Sequence, residues 1–119
     1  MKQFRFREWK VYKDAQELFT ELLKIVKKLP REYRFELGSQ LLRSGSSIIL
    51  NIAEGSGKQS EKELNRFIET ALGSAYESLA NLDMLRMNEM VVEKDFSSAE
   101  KKVADICNQL GAFKKRLDL

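Results

Sequence analysis

The sequence predicts an all-α fold, an antiparallel up-down-up-down four-helix bundle in which residues 1–119 form a single domain. Apolar side chains recur at intervals of three and four residues in four separate segments, which is the spacing of one buried helix face. The chain has one proline and six glycines, too few for a turn-rich all-β fold. Connections of roughly 4 to 8 residues separate the segments, as is typical of antiparallel neighbours in a bundle.

The first predicted helix spans about residues 9–29. Its apolar stripe has the spacing of a helix packed in a bundle. The stripe contains Tyr12, Ala15, Phe19, Leu22, Val26 and Leu29. Leu18, Leu23 and Ile25 widen it, so this helix is expected to face two neighbours. Pro30 lacks a backbone N–H and is expected to end the helix.

The second predicted helix spans about residues 36–54. Its buried side carries Leu41, Ile48 and Ile52. Glycines and serines in the middle allow another backbone to approach closely, so Gly38 and Gly45 predict a tight helix contact. Gly55 is expected to end the helix in the left-handed conformation that glycine adopts most readily.

The third predicted helix spans about residues 61–89 and opens with a capping box formed by Ser60 and Glu63. Its apolar stripe is Leu64, Ile68, Ala71, Ala75, Ser78, Leu82 and Leu85. Gly73 and Ser74 form a second small-residue patch, which suits a contact with the glycine and serine segment of the second helix.

The fourth predicted helix spans about residues 97–117, and Ser97 with Glu100 predicts a second capping box. Its stripe is Phe96, Ala99, Val103, Ile106, Leu110, Phe113 and Leu117.

The chain has no histidine and one cysteine, Cys107. Without histidine it lacks the usual general base, the base of a catalytic triad and the commonest metal ligand. A single cysteine excludes disulfide frameworks and thiolate zinc sites. We therefore predict no catalytic residue, no metal site and no cofactor, and a protein that is not an enzyme.

The formal net charge is +3 but it is unevenly distributed. Residues 1–30 carry eight Lys and Arg against four Asp and Glu, whereas residues 61–90 carry three against six. Such a molecule suits either an anionic partner at one end or contact between copies of opposite charge.

Two groups of cations are candidate nucleic-acid-binding residues, for RNA or DNA. The basic turn, at the end of the first helix and in the turn that follows it, contains Lys24, Lys27, Lys28, Arg31 and Arg34. The basic arm, at the N-terminus, contains Lys2, Arg5, Arg7 and Lys10, with Phe4, Phe6 and Trp9 between them. Cations contact phosphates and aromatic rings stack on bases. The alternative is that these cations only solubilise the bundle and that the rings pack on it.

Five polar residues lie beside the small-residue contacts. Arg43, Asn51 and Glu54 share the polar side of the second helix, and Arg66 and Glu77 lie on the third. We interpret them as a structural hydrogen-bonded network that fixes helix register. The alternative is a functional pocket or a surface that faces another subunit.

Two sequence blocks closely resemble the 23S ribosomal-RNA intervening-sequence protein family. The first block is matched by Leu37, Gly38, Gln40, Leu41, Arg43, Ser47, Ile48, Asn51, Ile52, Ala53, Glu54 and Gly55. The second is matched by Arg66, Phe67, Ile68, Ala71, Gly73, Ser74 and Glu77. The opening segment around Trp9 also fits, so the resemblance spans nearly the whole chain.

The resemblance implies a four-helix bundle that assembles with itself as a homopentameric ring. It extends to the accessory variability proteins of diversity-generating retroelements, which work with a reverse transcriptase and nucleic acid. It therefore implies association with RNA, or with a nucleic-acid-processing protein, and no established enzyme activity.

Three functions remain open from the sequence. The first is a non-enzymatic oligomeric module that binds nucleic acid, RNA above all, through basic side chains. The second is a protein–protein scaffold or accessory subunit that binds no nucleic acid, and the third is a hydrolase that uses carboxylates alone. No apolar run approaches the roughly 20 residues of a membrane span, and the N-terminus lacks the apolar core of a signal peptide. We expect a cytoplasmic protein with no membrane partner.

Overall fold

A computed structural model describes residues 3–117, which form one short 3-10 helix and four α-helices. After the 3-10 helix Arg5–Glu8, the α-helices are α1 (Lys10–Lys27), α2 (Arg31–Ser56), α3 (Glu61–Met87) and α4 (Glu93–Leu117). No strand occurs within this described range. The predicted all-α class and the four helices are confirmed.

The four helices surround one elongated hydrophobic core. Helix α1 packs on α2 and α4, and α3 packs on the same two helices. Each helix contributes fully buried side chains to the core, among them Leu22, Ile48, Leu82 and Ile106. Every residue of the predicted α3 stripe is buried, because a period of 3.6 residues returns these positions to one face.

Pro30 both follows α1 and caps the start of α2. Helix α2 begins at Arg31, five residues before the predicted start. The proline fits there because its φ of −53° is close to helical and because a helix start leaves its first N–H groups unbonded anyway. Its carbonyl accepts the N–H of Tyr33 at 3.0 Å and opens the first turn.

The glycines of α2 allow close approach of neighbouring helices. A Cβ atom added at Gly38 would lie 2.7 Å from Cγ1 of Val26, and one at Gly45 would lie 2.6 Å from Cδ1 of Leu22. The predicted tight contact is therefore confirmed, and its partner is α1.

Gly55 does not end α2 in a left-handed conformation. The helix continues to Ser56, and none of the glycines in residues 3–117 has a positive φ. A Cβ atom at Gly55 would lie 2.7 Å from Cβ of Phe67 on α3. The prediction of a left-handed end is wrong, because this glycine serves interhelical contact and not chain reversal.

The structure supports a serine cap at the start of α3 but not at the start of α4. Ser60 caps α3, and its Oγ accepts the N–H of Glu63 at 3.1 Å. Helix α4 begins at Glu93, so Ser97 lies inside the helix and the capping box predicted at Ser97 is wrong. Glu93 and Asp95 occupy the first turn of α4, where negative charge suits the positive end of the helix dipole.

Candidate nucleic-acid interface

A ladder of small polar side chains joins α2 to α3. The hydroxyls of Ser47 and Ser74 lie 2.7 Å apart, and those of Ser44 and Ser78 lie 2.9 Å apart. Asn81 donates to Oγ of Ser44 at 3.2 Å. Because Ser44, Ser74, Ser78 and Asn81 are buried, these bonds satisfy groups that would otherwise be costly to remove from water. The ladder therefore ties the register of α2 to that of α3.

Of the five residues predicted to form a polar network, Asn51 alone adjoins this ladder. Its Nδ2 donates to the backbone oxygen of Ser47 at 2.8 Å and to the hydroxyl at 3.0 Å. Glu54 is exposed, and its carboxylate lies 4.0 Å from the ammonium group of Lys58, four residues later in the chain.

The other three predicted network residues point away from the core. Arg43, Arg66 and Glu77 are exposed, and none has a side-chain hydrogen bond or ion pair within residues 3–117. Arg43 follows the buried Leu41 by two residues, which places it about 200° around the helix. The five residues do not form one network inside the protomer. The spacing of the serines in the two small-residue patches was the sequence signal for the contacts that do form.

The basic arm is fastened to the bundle. Lys2 lies outside the described residues. Arg5 donates through Nε and Nη2 to the backbone oxygen of Ser56 at 3.2 and 3.1 Å, and its guanidinium lies 5.3 Å from the ring centre of Trp9. Trp9 in turn packs on Phe113 of α4, with ring centres 4.9 Å apart. Arg5 thus places a cation at the carboxyl end of α2, where the helix dipole favours positive charge.

The remaining arm cations also have internal partners. Arg7 lies over the ring of Phe4, 5.3 Å from its centre, and Lys10 pairs with Asp14 at 2.6 Å. Burial alone would raise the pKa of Asp14, but hydrogen bonds from Lys10 and Gln109 outweigh it and lower the pKa below the ordinary 3.8. The hydrogen bond to Asp14 raises the pKa of Lys10. A phosphate would have to compete with these contacts.

Two cavities of about 610 and 730 Å³ flank the arm. Both are lined by Arg5 and by the carboxylate residue Glu61. The first cavity is also lined by Lys10 and Arg116, and the second by Glu54 and Lys58. Arg5, Lys10 and Lys58 already have an acceptor on the chain, and Glu61 would repel an anion in either cavity.

The basic turn lies at the opposite end of the bundle from the arm. Two of its cations stabilise the turn itself. Lys28 pairs with Asp95 of α4 at 3.0 Å, and Arg34 donates through Nη2 to the backbone oxygen of Leu29 at 3.0 Å.

The other three cations of the basic turn are exposed and unpaired. The side chains of Lys24, Lys27 and Arg31 have no hydrogen bond or ion pair to any residue of the described range. Lys24 and Lys27 lie one turn apart near the end of α1, and Arg31 is the first residue of α2. They form a positive surface whose side chains pair with no carboxylate of residues 3–117.

A groove of about 430 Å³ adjoins this positive surface between α1 and α2. It is lined by Val26, Arg31, Arg34, Phe35, Gly38, Ser39 and Leu42. The ring of Phe35 is 82% exposed, the largest exposure of any aromatic side chain that the structure describes. Sequence reasoning identified the cations but did not single out Phe35.

A second exposed surface is apolar. Tyr76, Met84 and Met87 on α3 are 68%, 49% and 84% exposed. Apolar side chains grouped on one helix face are typical of a surface that contacts another protein.

Neither a metal cluster nor a membrane span is found in residues 3–117. No three Cys, Asp or Glu side chains there group closely enough to hold a metal ion. None of the helices in that range has both the length and the apolar character needed to cross a bilayer.

Comparisons with known proteins agree with the resemblance of the two sequence blocks. A crystal structure from Bacteroides thetaiotaomicron, described as a protein with unknown function from the S23 ribosomal protein family, is similar with a TM-score of 0.82 and 26% identity. The match covers 88% of this chain and 98% of that one. Comparison with curated proteins finds no match. The family model of the 23S rRNA-intervening sequence protein matches residues 7–112. The chain therefore belongs to the 23S rRNA-intervening sequence protein family.

Proposed function

We propose that this protein is a non-enzymatic helical module that binds RNA through the basic turn. The observation that carries the proposal is the group of three exposed cations, Lys24, Lys27 and Arg31, which have no acidic partner in the described chain. The family description names an intervening sequence of 23S rRNA, which supports RNA over DNA as the partner.

The internal partners of the arm cations make the basic turn the better phosphate-binding site. A cation that neutralises a phosphate releases counterions and gains affinity, provided that it does not first lose a protein partner. Arg5 and Lys10 of the arm would lose hydrogen bonds to Ser56 and Asp14. Lys24 and Arg31 would lose none.

The test is titration of a fluorescently labelled structured RNA, followed by anisotropy at about 50 and 200 mM salt. The variant is Lys24→Gln/Lys27→Gln/Arg31→Gln. The matched control removes the same charge from exposed positions elsewhere, as Lys13→Gln/Lys62→Gln/Lys101→Gln.

We expect the basic-turn variant to bind more weakly. The slope of log affinity against log salt should become shallower by about 0.7 to 0.9 for each phosphate contact removed. The control should keep most of the slope. Undetectable binding of the unaltered protein at the lower salt, or equal losses in both variants, would contradict the proposal.

We also propose that the chain assembles with itself, as a homopentameric ring of up-down-up-down bundles. Contacts between α2 and α3 support the helix order, since Gly55 approaches Phe67 while Gln40 bonds to Asn81. The exposed apolar surface of α3 supports assembly, because a ring joins two different patches of the same protein.

The test of assembly is mass in solution, by native mass spectrometry or light scattering. The unaltered protein should have five times the protomer mass, and Met84→Lys/Met87→Lys should shift it toward the monomer. A monomeric unaltered protein would exclude the ring.

A protein–protein accessory subunit without RNA is the second candidate function. The exposed side chains of Tyr76, Met84 and Met87 favour it. An intact oligomer that fails to bind RNA at low salt would favour this function over the first. For either function we propose that the protein is cytoplasmic.

A further inference from the structure

We propose that the RNA bound at the basic turn is single-stranded there, and that the ring of Phe35 stacks on an unpaired base. The inference rests on the proposed function, because it assigns the class of RNA that the same site takes.

The exposure of Phe35 is the first observation. Its ring is 82% exposed, although removing such a side chain from water is worth about 1.5 to 3 kcal/mol. The aromatic residues of the arm pair with one another or with cations, whereas Phe35 has no ring or cation partner within residues 3–117. Its face is therefore available to a ligand.

The position of Phe35 among the cations is the second observation. Arg31 precedes it by four residues, so the two side chains are neighbours on the surface of α2. Both line the groove between α1 and α2. A strand whose phosphate contacts Arg31 can thus place a base against the ring of Phe35.

The rest of the groove suits a base as well. The guanidinium of Arg34 is held by the backbone oxygen of Leu29, which orders the wall of the groove before any ligand arrives. Ser39 lies one turn beyond Phe35 and also lines the groove. Its hydroxyl has no hydrogen bond within the described range, so it can donate to or accept from a base edge.

These features favour a single strand over a duplex. In a duplex the faces of the bases are covered by their neighbours, so an exposed ring has nothing to stack on. A single strand presents both phosphates and base faces, and aromatic side chains bind the latter with little dependence on sequence.

The test compares two labelled probes at about 50 mM salt, a mixed-sequence single-stranded 12-mer of RNA and the duplex of the same sequence. The variants are Phe35→Ala and Phe35→Leu, with Phe35→Trp as the conservative replacement. Tyr33→Ala is the matched control, because Tyr33 is an exposed aromatic residue on the same helix that does not line the groove.

We expect Phe35→Ala and Phe35→Leu to weaken binding of the single strand by about 5- to 150-fold, the effect of one stacked base. Phe35→Trp and Tyr33→Ala should bind as the unaltered protein does. Duplex affinity should be lower than single-strand affinity and insensitive to Phe35. A 2-aminopurine in the single strand should be quenched by the unaltered protein and not by Phe35→Leu.

The possible failures are distinguishable. If the unaltered protein binds both probes and Phe35→Ala binds them equally well, this inference is overturned while the proposed function stands. If the mass of the oligomer falls in Phe35→Ala, the Phe35 side chain packs against a second copy of the protein, and the inference is also overturned. If the unaltered protein binds neither probe, the proposed function itself fails.

Discussion

Replacing Gly55 by alanine tests whether this glycine is present for interhelical contact. The added Cβ would lie 2.7 Å from Cβ of Phe67 and 3.1 Å from Cδ1 of Leu64. Carbon atoms in favourable contact are about 3.5 to 4.0 Å apart, so α2 and α3 would have to separate locally by about 1 Å. The Cβ atom of Phe67 cannot rotate away, because it is bonded directly to the backbone of α3.

Two opposing effects set the magnitude. Alanine is favoured over glycine inside a helix by about 0.5 to 1 kcal/mol. Forcing an extra group into a packed contact costs about 1 to 3 kcal/mol. We expect Gly55→Ala to lower the free energy of unfolding by about 1 to 2 kcal/mol.

The matched control is Gly111→Ala on α4. A Cβ atom there meets no atom within 4 Å, so only the helix preference changes. We expect this variant to raise the free energy of unfolding by about 0.5 to 1 kcal/mol.

The assay is urea unfolding followed by far-ultraviolet circular dichroism. All variants are compared at one protomer concentration, because self-assembly would make stability depend on concentration. A Gly55→Ala protein as stable as Gly111→Ala would refute the contact argument.

Three further predictions concern other contacts. Because the folded pKa of Asp14 lies below the ordinary 3.8, its contacts stabilise the fold above that pH and lose this effect as the pH falls through the folded pKa. We expect Asp14→Asn to lower the free energy of unfolding by less than ~1 kcal/mol at neutral pH, because the pair is partly exposed. Urea-unfolding curves should show this difference shrinking as the pH is lowered. Asn81→Ala should lower the free energy of unfolding by about 1 to 3 kcal/mol, since it removes the buried bond to Ser44; thermal unfolding checks this. Arg5→Gln should speed hydrogen exchange of residues 5–8 while leaving RNA affinity within about twofold of the unaltered protein, because its side chain is already engaged at Ser56.

The glycines and serines of α2 show how far sequence reasoning reaches. Gly38 and Gly45 predicted a close helix contact from residue size alone, and the contact exists. Gly55 has the same residue type in a position typical of a helix end, yet it lies inside α2. Nothing local distinguishes these cases, because the helix that presses on each glycine is distant in the chain.

The helix starts show a similar division. Ser60 caps α3 through its hydroxyl as predicted, because this bond depends on residues only three positions apart. The return bond from the Ser60 N–H to the Glu63 side chain, which would complete the capping box, is not formed within residues 3–117. Ser97 has the same pattern but lies within α4, which begins at Glu93. Glu93 and Asp95 give the helix an acidic first turn four residues before Ser97, so a second N-terminal signal competes with the one predicted there.

The sequence alone determined the four helices and most of their buried faces, because apolar periodicity is a local property that every helix repeats along its length. It also located every cation of the basic turn. Only the tertiary structure decided which cations are free. Arg5 is held by Ser56, which is 51 residues away in sequence, whereas Lys24 and Arg31 meet no carboxylate of the described chain. Charge partners of this kind depend on which helix faces adjoin, and that arrangement exists only once the core has packed.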